Sequence, residues 1–247
     1  MWIKADLHVH TNLSKDGVHA LPALVAQAKA RGIDVLAVCD HNRWMERACL
    51  PGCEEFGVLV LPGCEFSTNE GHVLGIFFDW NAPMGEILPP KAGVCDCAEV
   101  ARAIREWGGI CILAHPFEHG ACEITDFSLF DGVEVFNARA AFKNKKANEQ
   151  AGELATQRAL LGFASSDAHT RWEIGNAYTE VEVDTLSPWA VKAALLGEER
   201  RVYGKKGPAV LKGISQGVQR WRKNGLRSLP KSVLYFGYCV MKDILGR

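Results

Sequence analysis

Short apolar runs separated by helix-like segments recur along this chain, and almost every run meets a histidine or a carboxylate. Met1-Trp2-Ile3-Lys4-Ala5 leads into Asp6-Leu7-His8-Val9-His10-Thr11. Residues 33–39 are closed by Asp40-His41-Asn42, and 56–64 by Glu65. Residues 110–114 end at His115-Pro116, and 160–164 at Ser165-Ser166-Asp167-Ala168-His169. Residues 72–78 form a further run, headed by His72. Six of the eight histidines therefore lie at or beside predicted strand ends. Side chains alternate faces along a strand, so His8 and His10 should point the same way, with Asp6 beside them. In parallel α/β folds the C-terminal strand ends form the site face.

Between these runs, residues 20–31, 98–107, 143–157 and 188–196 have helical spacing, and 43–53 suggest a short helix. Residues 133–136 and 177–183 read as further strands. Gly- and Pro-rich residues 83–95 read as a loop. The alternation predicts one mostly parallel α/β sheet, and about seven strands fit a closed barrel better than an open sheet. Two more helices are expected at 209–223 and 231–245, jointed by the polar stretch 224–230.

Charge divides the chain. Residues 205–247 hold ten Lys and Arg against one acid, Asp243, whereas 1–204 hold 18 against 28. We expect a body of residues 1–204 and a basic helical C-terminal extension of residues 205–247. The extension's cations suit a nucleic-acid backbone, with Trp221 and Tyr235 available for stacking. Its final helix instead suits a membrane surface or partner, or its apolar face docks on the barrel, which is the expectation adopted. Nine cysteines, an odd number, scattered over an α/β pattern argue for reduced thiols in a cytoplasmic protein. Cys49-x3-Cys53 and Cys95-x-Cys97 have zinc-like spacing, but no histidine completes either pair. No signal peptide fits ahead of the histidine motif. The longest apolar run, 233–241, is nine residues, well short of a membrane span. Oligomeric state is not legible.

Histidines and carboxylates converging in this way imply bound cations, because so many buried polar groups without one would be left unpaired. Asp6-Leu-His-Val-His-Thr11, Asp40-His-Asn42, Glu65, His115-Pro116 and Ser166-Asp-Ala-His169 together resemble the motif series of the polymerase and histidinol phosphatase (PHP) superfamily. The resemblance spans residues 5–184. It implies a distorted (β/α)7 TIM-like barrel binding two or three divalent ions. One ion would be held by His8, His10, Glu65 and Asp167. A second would share Glu65 and add His72 and His115. A third would use His41, His169 and Asp16, the last also readable as part of an Asp16-Gly17 turn.

Mixed nitrogen and carboxylate ligands suit Mn²⁺, Zn²⁺ or Fe²⁺. Paired divalent ions generate a hydroxide near neutral pH and offset charge on phosphoryl oxygens. Phosphate ester hydrolysis by a metal-bridged hydroxide is thus the expected reaction, on a nucleotide, an oligonucleotide end or a small phosphorylated metabolite. Histidinol phosphate hydrolysis, a non-catalytic metal-binding regulatory module and a non-phosphate hydrolase are the alternatives. Asp40 is expected to orient a ligand imidazole, and Glu134 either to do likewise or to finish its strand. Arg139 and Arg171, with Arg43 and His119 behind them, are the expected phosphate-holding groups.

Overall fold

The computed structural model describes residues 1–45, 56–82 and 94–245. The helix expected within 43–53 and the loop over 83–95 fall largely outside them, as do Cys49 and Cys53. The strands are β1 (Trp2–Val9), β2 (Val35–Val38), β3 (Leu59–Thr68), β4 (Gly71–Ile76), β5 (Ile110–Leu113), β6 (Gly132–Asn137), β7 (Leu161–Ser165), β8 (Ala177–Glu182) and β9 (Arg200–Gly204). The helices are α1 (Leu21–Ala30), α2 (Cys97–Glu106), α3 (Ala147–Arg158), α4 (Pro188–Leu196), α5 (Ala209–Asn224) and α6 (Leu229–Ile244).

The strands form one sheet in the order β7-β6-β5-β4-β3-β2-β1-β8-β9, curled into a nearly closed barrel. The α/β barrel expected from the sequence is present, but it is not mostly parallel. Among the described residues four neighbouring pairs run parallel and four antiparallel. β3 returns directly as β4 in a hairpin. β4 and β5 are connected through α2, and β8 and β9 through α4, yet both pairs are antiparallel, as is β1 with β8. Ile3, Ala5, Leu7, Val35, Ala37, Leu61, Ile112, Phe163 and Val181 fill one core cluster, with Val191 and Leu195 of α4. A second cluster packs α1, through Leu21, Leu24, Val25 and Ala28, on Leu36, Val38 and Val60. Cap chemistry fixes two helix starts: Asp96 accepts from Glu99 N, and Ser187 from Ala190 N.

One irregularity matters for the site. The register of β1 on β2 passes from Asp6↔Leu36 to Val9↔Val38, so β1 carries one extra residue there. Such a bulge re-aims the side chains beyond it. Leu7 packs in the first cluster, whereas Val9, which a regular strand would leave on the same face, packs against α1. Asp6 is consequently separated from His8 and His10, contrary to the expectation from strict alternation. Its carboxylate accepts Ser166 N (2.9 Å) and Gly175 N (3.0 Å) instead. Burial pushes its pKa up to about 6, against the pull of those two N–H groups.

The sheet is not laced all the way round. Among the described residues no ladder joins β7 to β8. Thr179 Oγ1 spans that gap, accepting Ala164 N at 2.9 Å and donating to Ala164 O at 3.1 Å. Farther along, His10 N donates to Ala168 O (2.8 Å) and Ala168 N to His8 O (3.2 Å), tying the end of β1 to the segment after β7.

α5 and α6 form a helical hairpin across the barrel mouth. Asp243 of α6 accepts Ala209 N and Val210 N, capping the start of α5. Gly213 of α5 lies where a side chain would meet Phe236 and Cys239 of α6. Both helices touch the barrel: Arg222 of α5 donates to Ser14 O at 2.7 Å, and Lys242 of α6 to Phe142 O at 3.1 Å. The expected docking of the apolar face of the last helix does not occur. On α6 only Cys239 is buried, while Val233, Leu234, Met241 and Ile244 are exposed. Among the described residues no helix is long and apolar enough to cross a membrane.

Candidate metal centre

Nine side chains converge at the barrel mouth: His8, His10, Asp16, His41, Glu65, His72, His115, Asp167 and His169. Register explains part of this. Glu65 of β3 pairs with Leu74 of β4, so His72, two residues along, shares its face. Glu65 stands at the centre. Its Oε1 lies 2.6 Å from His72 Nδ1 and 3.0 Å from His115 Nε2. Its Oε2 lies 2.7 Å from His41 Nδ1 and 3.3 Å from both His8 Nε2 and His10 Nε2. Asp167 Oδ1 approaches His10 Nε2 at 3.3 Å and His8 Nε2 at 3.7 Å. Asp16 is buried here rather than left in a surface turn, with Oδ2 3.4 Å from His169 Nε2 and Oδ1 3.6 Å from His41 Nε2.

The surroundings decide which ring nitrogens are free. His8 Nδ1 faces Glu134 Oε1 at 3.0 Å, and His10 Nδ1 faces Ser14 Oγ at 3.2 Å. Glu134 is acceptor-only, and Ser14 spends its proton on Asp40 Oδ1 (2.7 Å). Both Nδ1 atoms therefore carry a proton, and in the neutral rings both Nε2 atoms keep a lone pair. Those two nitrogens face each other across 3.0 Å, close enough to share a proton. Burial lowers the His8 pKa, but the carboxylates of Glu134, Asp167 and Glu65 outweigh it and hold it well above the usual value. A divalent cation near both nitrogens would take that proton's place. Glu65 Oε2 is buried beside them, its approach to His41 Nδ1 an ion-pair contact without hydrogen-bond geometry, and buried Asp16 Oδ1 makes no hydrogen bond. The donor set and these orphaned atoms fit divalent ions. Among the described residues four groups of side chains have ligand atoms close enough to share an ion: His8-His10-Glu65, Glu65-His72-His115, His10-His41-His169 and His8-His115-Glu134.

Charge favours the ligand forms of the carboxylates. Burial raises the Glu65 pKa, but the imidazoles of His41, His72, His8 and His115 outweigh it and hold the carboxyl well below its usual range. Asp167 is treated likewise: burial opposes ionisation, and His8, His10, His169 and Arg139 overcome it. Burial and the neighbouring His169 and His41 push His10 well below the usual imidazole value, toward the neutral ligand form. Backbone strain is concentrated here too. Asn42 (φ 48°), His115 (25°) and Asp167 (53°) are three of the four described non-glycine residues with positive φ. Such conformations persist where surrounding contacts over-determine them, as at ligand clamps.

Three expected catalytic-site groups sit differently. Asp40 touches no ligand imidazole. Its carboxylate accepts Thr11 N, Thr11 Oγ1 and Ser14 Oγ, and reaches His10 only through Ser14. Arg171 lies outside the pocket, exposed, with its guanidinium 5.2 Å from the Trp172 ring centre. The Thr170–Glu173 capping box turns Glu173 inward and leaves Arg171 facing water. Arg139 does line the pocket, but part of its fork is committed: Nη2 donates to Ser215 Oγ (2.6 Å) and Nε lies 3.1 Å from Glu173 Oε1. Arg43 is exposed, and His119 stands at the rim with its ring 3.1 Å from Lys143 Nζ.

Sequence reasoning missed the lysines. Lys15, Lys143 and Lys212 line the roughly 210 Å³ cavity over the cluster, with Arg139, Gln216, Gln219 and Tyr235. Lys212 and Lys143 both pair with Glu118 Oε1, at 3.1 and 3.3 Å. Nothing in the composition of the basic tail separates Lys212 from its solvated neighbours. Glu134 is fuller than expected: besides His8 it accepts Ser165 Oγ (2.7 Å), His115 N (2.9 Å) and Asn137 Nδ2 (3.0 Å).

Comparison with known proteins agrees with this fold. A family described as PHP-associated matches residues 145–198. The uncharacterized protein MJ1587 of Methanocaldococcus jannaschii is 36% identical over 151 residues, covering 55% of this chain and 82% of that protein. The uncharacterized protein MJ0417 of the same organism is 30% identical over 202 residues, covering 75% and 76%. Among solved structures, a two-domain Bacteroides vulgatus protein containing a predicted PHP-like metal-dependent phosphoesterase superposes with a TM-score of 0.67 at 19% identity, over 87% of this chain and 69% of that one. The lesion-specific endonuclease PfuEndoQ of Pyrococcus furiosus gives a TM-score of 0.59 at 17% identity, over 82% and 58%.

Proposed function

The chain belongs to the PHP superfamily, and on that premise we propose that it is a metal-dependent phosphoesterase acting on a nucleotide, an oligonucleotide end or a small phosphorylated metabolite. The observation that carries the reading is the Glu65 carboxylate. It is buried and ringed by five imidazoles, with Oε2 3.3 Å from both His8 Nε2 and His10 Nε2.

His8, His10, Glu65 and Asp167 would hold one ion, and Glu65, His72 and His115 a second. Asp16, His41 and His169, with His10 beside them, would hold a third. Mn²⁺, Zn²⁺ or Fe²⁺ suits these donors. Bound there, divalent ions lower the pKa of water toward neutrality and offset charge on phosphoryl oxygens. The protein's own part is to aim and to bind. Glu134 and Ser14 keep the protons of His8 and His10 on Nδ1, so that Nε2 faces the centre. Lys15, Lys143, Lys212 and Arg139 give the cavity a cationic rim for a phosphate dianion. Glu118, its pKa held near 2 by His115, Lys212 and Lys143 against the effect of burial, stays ionised and fixes the two lysines.

The cavity over the cluster, about 210 Å³, takes a phosphoryl group together with part of what it is attached to. An adjoining cavity of about 330 Å³ shares His72, His115 and His119 and gives room for the rest of a small substrate. The fold shared with a lesion-specific endonuclease supports keeping nucleotides among the candidates. The test is hydrolysis by protein loaded with Mn²⁺ or Zn²⁺, comparing nucleoside bisphosphates, short oligonucleotides and histidinol phosphate, with Asp167→Asn as control. Turnover on one of these, abolished in the variant, is expected. Metal-loaded protein inert toward every phosphoester would leave a regulatory metal-binding module as the better account.

A further inference from the structure

α6 wears its amphipathic pattern inside out. A surface helix normally turns its apolar stripe inward and its charges to water. Here three charged residues lie between Leu229 and Ile244, and two are turned onto the protein. Lys242 donates to Phe142 O at 3.1 Å, and Asp243 caps α5. The solvent side is Val233, Leu234, Tyr238, Met241 and Ile244, with Leu226 extending it before the helix. Leu234 is 78% exposed, Leu226 and Ile244 71% and Val233 67%. These positions recur at three- and four-residue intervals, so the face is continuous along the helix. A continuous exposed apolar surface on a water-soluble fold marks a contact site.

Beside this face lies an open cavity of about 670 Å³. Arg220, Lys223, Arg227 and Lys231 line it, together with Asn224, Leu226 and Ser228, and no carboxylate does. Trp221, half exposed, flanks it. Cations and apolar side chains thus share one edge of the molecule, on the hairpin that carries the chain's basic charge.

We propose that the outer face of α6 and this basic cavity form an attachment site for an anionic lipid bilayer. α6 lies in the interface plane with Val233, Leu234, Met241 and Ile244 at the acyl boundary, while Arg220, Lys223, Arg227 and Lys231 meet headgroup phosphates. Charge complementarity selects this occupant. A nucleic acid would satisfy the cations and leave the apolar face in water. A second copy docked across this edge would bring one basic rim against another. α6 has 16 residues, about 24 Å of helix, too short to span a bilayer core but ample to lie on one.

The test is sedimentation of the full chain with phosphatidylcholine vesicles, with and without phosphatidylglycerol. Binding to the anionic vesicles, weakened by added salt, is expected. Arg227→Glu with Lys231→Glu should reduce partitioning by about five-fold for each positive charge removed, and more for the reversal. Leu234→Asp with Ile244→Asp should reduce it about ten-fold or more. These side chains project into water, and an unchanged thermal midpoint will show the variants folded. Absence of sedimentation, equal binding to uncharged vesicles, or undiminished binding by the Leu234/Ile244 variant overturns the proposal. So does a dimer in solution that the same variant dissociates, or an oligonucleotide bound in place of vesicles.

Discussion

Replacing Glu134 by Gln tests whether the cluster is aimed from behind. Glu134 is fully buried, and four groups face it as donors: His8 Nδ1 and Ser165 Oγ on Oε1, His115 N and Asn137 Nδ2 on Oε2. A carboxylate accepts from all four. A glutamine must present its amide N–H₂ to one pair, so either orientation sets two donors against two donors. Each charge-assisted bond lost is worth about 1.5–3 kcal/mol, which places the gross penalty at about 3–6 kcal/mol before relaxation. The cheapest relaxation is rotation of the His8 ring or transfer of its proton to Nε2, and both remove a ligand atom. Metal affinity should therefore fall about ten- to a hundred-fold, the scale typical of partners that orient a ligand imidazole. Titration calorimetry of metal-free protein with Mn²⁺ or Zn²⁺, beside urea unfolding without metal, separates the two effects. A merely structural Glu134 would lower the unfolding midpoint and leave affinity unchanged. A Gln variant that binds metal as tightly as the parent would refute the orienting role.

Three further outcomes are expected. Gly17→Ala would set a methyl 1.8 Å from Thr11 O, so the turn must move and carry Asp16 with it. The metal-to-protein ratio by elemental analysis should then drop, while the groups around Glu65 stay loaded. Lys212→Met removes a charge from the rim, together with the ammonium that lies 4.9 Å from the Phe142 ring centre, and KM for a phosphorylated substrate should rise about ten-fold with a smaller change in kcat. Chelation should abolish turnover and lower the thermal midpoint reversibly, since ions bound to the native state alone contribute about 2.7 kcal/mol at a hundred-fold excess over Kd.

The ligand cluster was legible because its residues sit in short motifs at strand ends, where residue type and position speak together. What escaped has specific causes. The β1 bulge leaves no mark in Leu7-His8-Val9, so strict alternation put Asp6 on the wrong face. β9 reads Arg200-Arg-Val-Tyr-Gly204, with no apolar alternation, because it is an edge strand that buries almost nothing. Arg139 and Arg171 each follow a strong motif, yet a salt bridge draws one partly away and a capping box turns the other out. Lys212 is set apart only by the helix that returns over the barrel. For α6 the periodicity was plain, but a two-faced pattern does not say which face meets water.

The gap between β7 and β8 would give bound ions a second task. His8 and His10 arrive on one lip of this unlaced joint, and Asp167 and His169 on the other, with Thr179 and Asp6 as the side-chain stitches between them. A cation held from both lips would act as a clasp, so that loading the site would tighten the hoop and stripping it would let the two margins breathe.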